Sequence, residues 1–347
     1  MLAQSKIHDM KYVSLSDKDP IISADNPVRR LSFYLSMEEY VARCKPATDY
    51  FFMWQVNPSV IFGRNQLIEN EVNLEYCRQH NIMTYRRKSG GGCVYADLNN
   101  IMFSYITGDD SVGFTYNRYI NMVVRVLRQL GVDAKASGRN DVLIGDRKVS
   151  GNAFYKIPGR SIVHGTMLYD TDMANMVGAI TPSNEKLVSK GVESVRQRIA
   201  LLKDYTDISI DEFKLFVKNN LCDSELRLTQ SDIEAIEEIE RQYLSDEFIY
   251  GNNPKYTISR KCRIDGVGDF DIRIEMKNDT IADINIMGDF FLAGDMDDAI
   301  VKPLRGVKLD RQCVRTALTE NVDSVIVGLS RPELVEMIIG AADARKQ

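Results

Sequence analysis

Two short stretches of this chain gather residues able to handle a charged, activated group. The first is "YRRKSGGGCVY" (Tyr85–Tyr95), where Arg86, Arg87 and Lys88 run up to Gly90, Gly91 and Gly92. Three successive glycines cost backbone entropy on ordering. They are expected where something must approach the main chain closely, with N–H groups open to phosphate oxygens. Arginine can add two parallel hydrogen bonds to the same phosphate. The run fits neither the P-loop pattern nor G-x-G-x-x-G, and a surface turn beside a solvated basic run stays open.

The second stretch is "SGRNDVLIGDRKVSGNAFYKIPGRSIVHGTML" (Ser137–Leu168). Lys148 leaves a tight turn as a compact positive charge that can reach inward. Ser150, Gly151 and Ala153 are small residues in close succession, as expected where something fits against them. Taken singly, Asn140 and Asp141 read as turn residues, and His164 reads as an ordinary packed histidine.

The elements that must hold these stretches follow from periodicity. "DYFFMWQVNPSVIFGRNQ" predicts two strands around an Asn57-Pro58 turn, and "NIMTYRRKSGGGCVY" and "NNIMFSYIT" predict further strands. "TYNRYINMVVRVLRQLG" predicts a helix capped by Thr115 and ended by Gly131. "SDIEAIEEIERQYL" predicts another, with Ser231 and Glu234 spaced as a capping box. After "YGNNPKY" the texture changes. "FDIRIEM" and "IADINIM" flank a "KND" turn as a hairpin, and "SRPELVEMIIGAADARK" closes the chain as a helix. A catalytic region over residues 1–246 and a small α+β domain over 247–347 are expected.

The bulk numbers restrict the class. At 347 residues the chain is long for one core, which favours a large domain plus a smaller one. A formal net charge of −5 argues against a general nucleic-acid binder. No apolar run reaches membrane-spanning length, and the first residues lack a signal-peptide core. Six scattered cysteines without a C-x-x-C pair fit a reducing compartment, so a cytoplasmic protein is expected. Three distant histidines form no local metal motif.

Together the fragments resemble the lipoate–protein ligase family, and the resemblance spans almost the whole chain. The pieces stand in the family order: "NPVRRLSFYLSMEEY", "VIFGRNQ", "RRKSGGGCVY", "SGRNDV", "DRKVSGNA", "HGTML" and "LVSKGVESVRQR". The glycine triplet combined with "DRKVSGNA" and "HGT" is specific; any one fragment alone is weak.

The resemblance implies an α/β (α+β) catalytic fold of mixed β-sheets and packed helices, shared with biotin–protein ligases, and a small C-terminal accessory domain. It implies two reactions: lipoate and ATP give lipoyl-AMP and pyrophosphate, and the acyl group then passes to a lysine ε-amine on an apo lipoyl domain. Arg87, Gly90, Gly91, Gly92, Cys93, Val94 and Tyr95 would line the site for ATP and the adenylate. Asn140 and Asp141 would sit beside it, Asp141 helping to hold Mg²⁺ through phosphates. Lys148 would be the central catalytic lysine. Ser150, Gly151, Ala153, His164, Gly165 and Thr166 would form the lipoyl wall. Implied partners are the lipoyl domains of 2-oxoacid dehydrogenase E2 subunits and the glycine-cleavage H protein, with no nucleic acid or membrane; a monomer is the default.

Two positions depart from the family pattern. Ala96 stands where members commonly carry histidine, and Asn99 where they carry glycine. An octanoyl or lipoyl transferase of the same superfamily would need a cysteine nucleophile. None follows Lys148 until Cys222, and Cys93 reads as a small lining residue. A non-catalytic binder of lipoyl domains would tolerate Ala96, but it gives no reason for retaining Lys148, Arg87 and three glycines.

Overall fold

A strand buried at every position needs cover on both faces. Two such strands, β2 (Asp49–Trp54) and β6 (Asn100–Thr107), are buried along their whole length and lie side by side in the principal sheet. The architecture is that of a computed structural model, which describes residues 10–15, 29–108, 112–137, 140–180, 197–251 and 256–343. The remaining members of this eight-stranded sheet are β1 (Met10–Ser14), β7 (Ala134–Ala136), β8 (Asp141–Ile144), β9 (Arg147–Ile157), β10 (Arg160–Leu168) and β11 (Ser224–Arg227). Their order is β11-β1-β2-β6-β10-β9-β8-β7. Strands β1, β2 and β11 pair in parallel, and the stretch from β2 to β7 is antiparallel.

The helix Leu31–Cys44 covers one face of this sheet and packs on the helix Gln230–Tyr243; the helix Val112–Gln129 covers the other. A small second sheet has the order β4-β3-β5, from β3 (Ser59–Phe62), β4 (Met83–Arg86) and β5 (Val94–Ala96). The expected strands on either side of Asn57-Pro58 are therefore present but do not form a hairpin: β2 and β3 belong to different sheets.

By contact density the chain divides into two compact units. The first holds Met1–Ile61, Val72–Tyr85 and Val94–Ser245. The second holds Asp246–Gln347 together with two inserted segments, Phe62–Glu71 and Arg86–Cys93. Its sheet is an antiparallel meander of β12 (Ile258–Ile264), β13 (Gly268–Lys277) and β14 (Thr280–Asp289). Asn278 takes a φ of 58° between β13 and β14, the left-handed conformation that Asn tolerates in a tight hairpin turn. The inner face, including Ile272, Ile274, Ile284 and Ile286, buries against the helix Arg331–Asp343 through Leu334 and Ile338.

Two helix starts differ from expectation. The capping box of Gln230–Tyr243 is made by Thr229 and Asp232, two residues before the expected pair, because Asp232 also serves a second purpose. Its carboxylate accepts hydrogen bonds from Tyr40 Oη and from Lys45 Nζ (2.9 Å), tying this helix to Leu31–Cys44. Thr115 lies inside the helix Val112–Gln129 rather than at its start, whereas Gly131 does end it, at φ 82°.

Burial opposes ionisation of Asp232, but the bonds from Tyr40, Thr229 and Lys45 outweigh it and hold the carboxyl at about 2, below its usual 3.8. A folded-state pKa below the unfolded value means that the stabilisation is complete above pH 3.8 and is lost as pH falls toward 2. The melting temperature should fall across that window, and Asp232→Asn should start lower and respond less to pH there. An equally steep fall in that variant, followed by circular dichroism, would contradict the assignment.

Candidate active site

In the first unit, Lys148 is positioned by β8, β9 and β10. Strand β8 pairs with β9 as Asp141↔Gly151 and Val142↔Ser150, then shifts so that Leu143 faces Lys148. Val149 is thus an extra residue, a β-bulge. Without it, Lys148 and Gly151 would point to opposite faces, since side chains alternate. With it, Asp141, Lys148 and Gly151 share one face. The Lys148 ammonium forms an ion pair with Asp141 Oδ1 at 2.8 Å, and both side chains are partly exposed. The Lys148 carbonyl accepts from Ala200 N at 2.8 Å, which fixes the bulged backbone from its open side.

The expected lipoyl wall separates into two faces. In the β9–β10 register, Ala153 pairs with His164 and Gly151 with Thr166, and these four stand on the Lys148 face. Ser150 and Gly165 belong to the opposite face, so they do not continue the wall that the other four form. Gly165 has its own reason to lack a side chain. A Cβ there would lie 1.8 Å from Asn152 Oδ1 and 2.9 Å from Tyr119 Oη, in the packing under the helix Val112–Gln129. Asn152 in turn exchanges hydrogen bonds with Asn140: Asn152 Nδ2 donates to the Asn140 carbonyl at 3.0 Å, and Asn140 Nδ2 donates to the Asn152 carbonyl. Asn140 therefore braces the start of β8.

His164 is more than a packed ring. Its Nδ1 lies 2.9 Å from Glu38 Oε2 on the overlying helix, and Ser104 Oγ donates to Glu38 Oε1 at 2.6 Å. Trp54 Nε1 donates to Ser104 Oγ at 2.9 Å, closing a buried chain of polar groups that crosses three strands. Glu38 is fully buried. Sequence reasoning passed over it, although a legible signal existed: an acid in the middle of "LSFYLSMEEYVARC", a helix buried over most of its length.

The glycine run lies in the second unit, except for Val94 and Tyr95, which belong to β5 of the first. Here the glycine backbone already has close neighbours of its own. Gly91 N already donates to the Phe290 carbonyl at 3.0 Å. A Cβ at Gly90 would meet that carbonyl oxygen at 2.3 Å, one at Gly91 the Phe291 ring at 3.1 Å, and one at Gly92 the Asp289 carboxylate at 3.0 Å. What comes close to this backbone is the chain's own segment after β14.

The arginines are likewise committed. Arg87 Nε donates to Ser89 Oγ, and its Nη2 to the carbonyls of Gly90 and Gly92, both at 2.7 Å. Arg86 donates to the carbonyls of Arg64, Gln66 and Ile249. Burial lowers both guanidinium groups to about 10, still charged at neutral pH. They hold the loop from behind instead of projecting from it. Tyr95 is buried, and Ala96, at the position of the family histidine, is fully enclosed and paired with Ser59. "LVSKGVESVRQR" lies, apart from its last two residues, outside the described residues.

Among the described residues, no group of three His, Cys, Asp or Glu side chains could hold a metal ion. Burial pushes the Cys77 thiol up and that of Cys222 up to about 12, the reverse of what an acyl-carrying thiol requires.

The family described as "Lipoyl protein ligase A/B catalytic domain" matches residues 31–222, and "Bacterial lipoate protein ligase C-terminus" matches residues 253–338. Lipoate–protein ligase 1 of Staphylococcus aureus is 35% identical over 325 residues, covering 91% of this chain and 98% of that protein. An archaeal bi-partite lipoate protein ligase from Thermoplasma acidophilum, described with its E2 lipoyl domain, superposes with a TM-score of 0.62 at 27% identity. That likeness covers 72% of this chain and all of the other. A lipoate-protein ligase A bound with ATP gives a TM-score of 0.59 at 25% identity, over 70% of this chain and 99% of that one.

Proposed function

Because the chain belongs to the lipoate–protein ligase family, we propose that Lys148 is the cation around which its two reactions are organised. The activity is ATP-dependent ligation of lipoate to protein. In the first reaction a lipoate carboxylate oxygen attacks the α-phosphorus of ATP and pyrophosphate leaves. In the second, a lysine amine of the acceptor attacks the acyl carbon and AMP leaves. Both need charge neutralisation and alignment more than an enzyme nucleophile.

The observation that carries this reading is the Lys148–Asp141 pair on one face with Gly151, Ala153, His164 and Thr166. An ammonium whose one carboxylate partner among the described residues is Asp141 can exchange it for a substrate carboxylate or a phosphate oxygen. Gly151 and Ala153 present little bulk to an acyl chain, whose burial contributes about 0.8 kcal/mol per methylene. Gly90, Gly91, Gly92 and Cys93 are proposed to serve the nucleotide, with Arg87, Val94 and Tyr95 supporting the loop. Mg²⁺ would come with the phosphates. A hard cation that keeps several waters fits a single carboxylate, Asp141, and would supply further charge neutralisation there.

Acceptors are lipoyl domains, and among them we include E2 subunits and the glycine-cleavage H protein. A monomeric, cytoplasmic enzyme divided near residues 246 and 247 completes the proposal. No described helix is long and apolar enough to cross a membrane. The shifted thiols of Cys77 and Cys222 disfavour a thioester-forming transferase. The test is incubation with Mg-ATP, lipoate and an apo lipoyl domain. The acceptor should gain the lipoyl mass only when ATP is present. Transfer from octanoyl-carrier protein without ATP would overturn the reading.

A further inference from the structure

We propose that Gly151 is a positioning residue for the adenylation step: by lacking a side chain it leaves the groove in which the Lys148 amine lies. This rests on the reading of Lys148 given above. A Cβ built on Gly151 would stand 2.5 Å from both Cε and Nζ of Lys148 and 3.7 Å from Asp141 Oδ1. No other neighbour comes as near as the lysine tip.

The backbone gives no separate reason for glycine here. Gly151 is absent from the glycines with positive φ, and it sits in a regular pair with Thr166. Ala153, two residues on and on the same face, carries its Cβ without difficulty. The bulge at Val149 brings Lys148 onto the Gly151 face, and the bare Cα then lets the side chain lie back along its own strand toward Asp141. Fill that groove, and the flexible end of the lysine must lift away.

The obstruction would fall on a mobile side-chain end, not on backbone, so Gly151→Ala should fold normally. The variant is thus expected to be cheap for the structure and expensive for the chemistry. Displacing a reacting-centre cation by about an ångström can cost on the order of a hundredfold in rate.

The experiment measures pyrophosphate release from Mg-ATP and lipoate, together with thermal melting, for wild type, Lys148→Ala, Gly151→Ala and the double variant. Gly151→Ala should keep the wild-type melting temperature and lose kcat about a hundredfold, with the KM for ATP little changed. In the Lys148→Ala background the same change should cost nothing further. Full activity of Gly151→Ala beside an inactive Lys148→Ala would overturn the positioning role and leave the lysine assignment standing. Loss of rate accompanied by a lower melting temperature would also overturn it, because the glycine would then serve the strand. Activity retained by Lys148→Ala would remove the reading of the lysine itself, and this inference with it.

Discussion

Lys148→Ala is expected to lose pyrophosphate release by about a hundred- to a thousandfold, the range found when one preorganised charge-stabilising group is removed from an active site. The protein should remain folded. The side chain is partly exposed, and its ion pair with Asp141 is partly in solvent, where such pairs contribute little to stability. Its strand is held independently, by the β9–β10 ladder and by the bond from Ala200 N to the Lys148 carbonyl. A melting temperature near that of wild type together with a lost first reaction would identify the amine as chemical in purpose. Unaltered pyrophosphate release would refute the assignment.

Glu38→Ala should instead be among the most damaging changes to stability. It removes the acceptor for Ser104 Oγ and for the His164 ring from a position with no exposed surface. The abandoned groups cannot reach water, and a void remains beneath the helix. A loss on the order of 3 kcal/mol is expected, measurable as a displaced denaturant midpoint. Glu38→Gln keeps the volume and one acceptor oxygen, so it should lose distinctly less. Equal effects from the two substitutions would mean that charge, not hydrogen bonding, holds His164 in place.

Much of the scaffold was legible because local patterns and tertiary demands agree. The alternation in "FDIRIEM" and "IADINIM" produced its hairpin, with Asn278 taking the positive φ that the turn requires. "NIMFSYIT" became a central strand because its apolar run leaves no face for water. Where local and distant requirements differ, the sequence misled. Two strands flanking Asn57-Pro58 look like partners, yet each pairs with a strand remote in the chain. The capping pair of the helix Gln230–Tyr243 moved back two residues to an aspartate that also receives Tyr40 and Lys45.

The candidate site shows the same division. Lys148 and Asp141 lie seven residues apart, and only a one-residue bulge brings them to a common face. Strict alternation would have grouped Lys148 with Ser150, and Ser150 lies on the opposite face. The glycine run was read as a place of close approach to a ligand, and in the structure the chain's own backbone comes close to it. Its visitor could not be read, because Asp289–Phe291 lie almost two hundred residues downstream in the chain. The arginines beside it looked available for anions only because sequence does not reveal how many carbonyls a loop turns inward.

The bond from Gly91 to the Phe290 carbonyl has a thermodynamic corollary. One amide proton satisfies one strong acceptor at a time, so an incoming phosphate oxygen and that carbonyl are rivals for it. On the proposal that Gly91 serves the nucleotide, the affinity there would be a net figure, the new contact less the old one. Weakening the incumbent would therefore sharpen nucleotide affinity without touching any group the nucleotide meets.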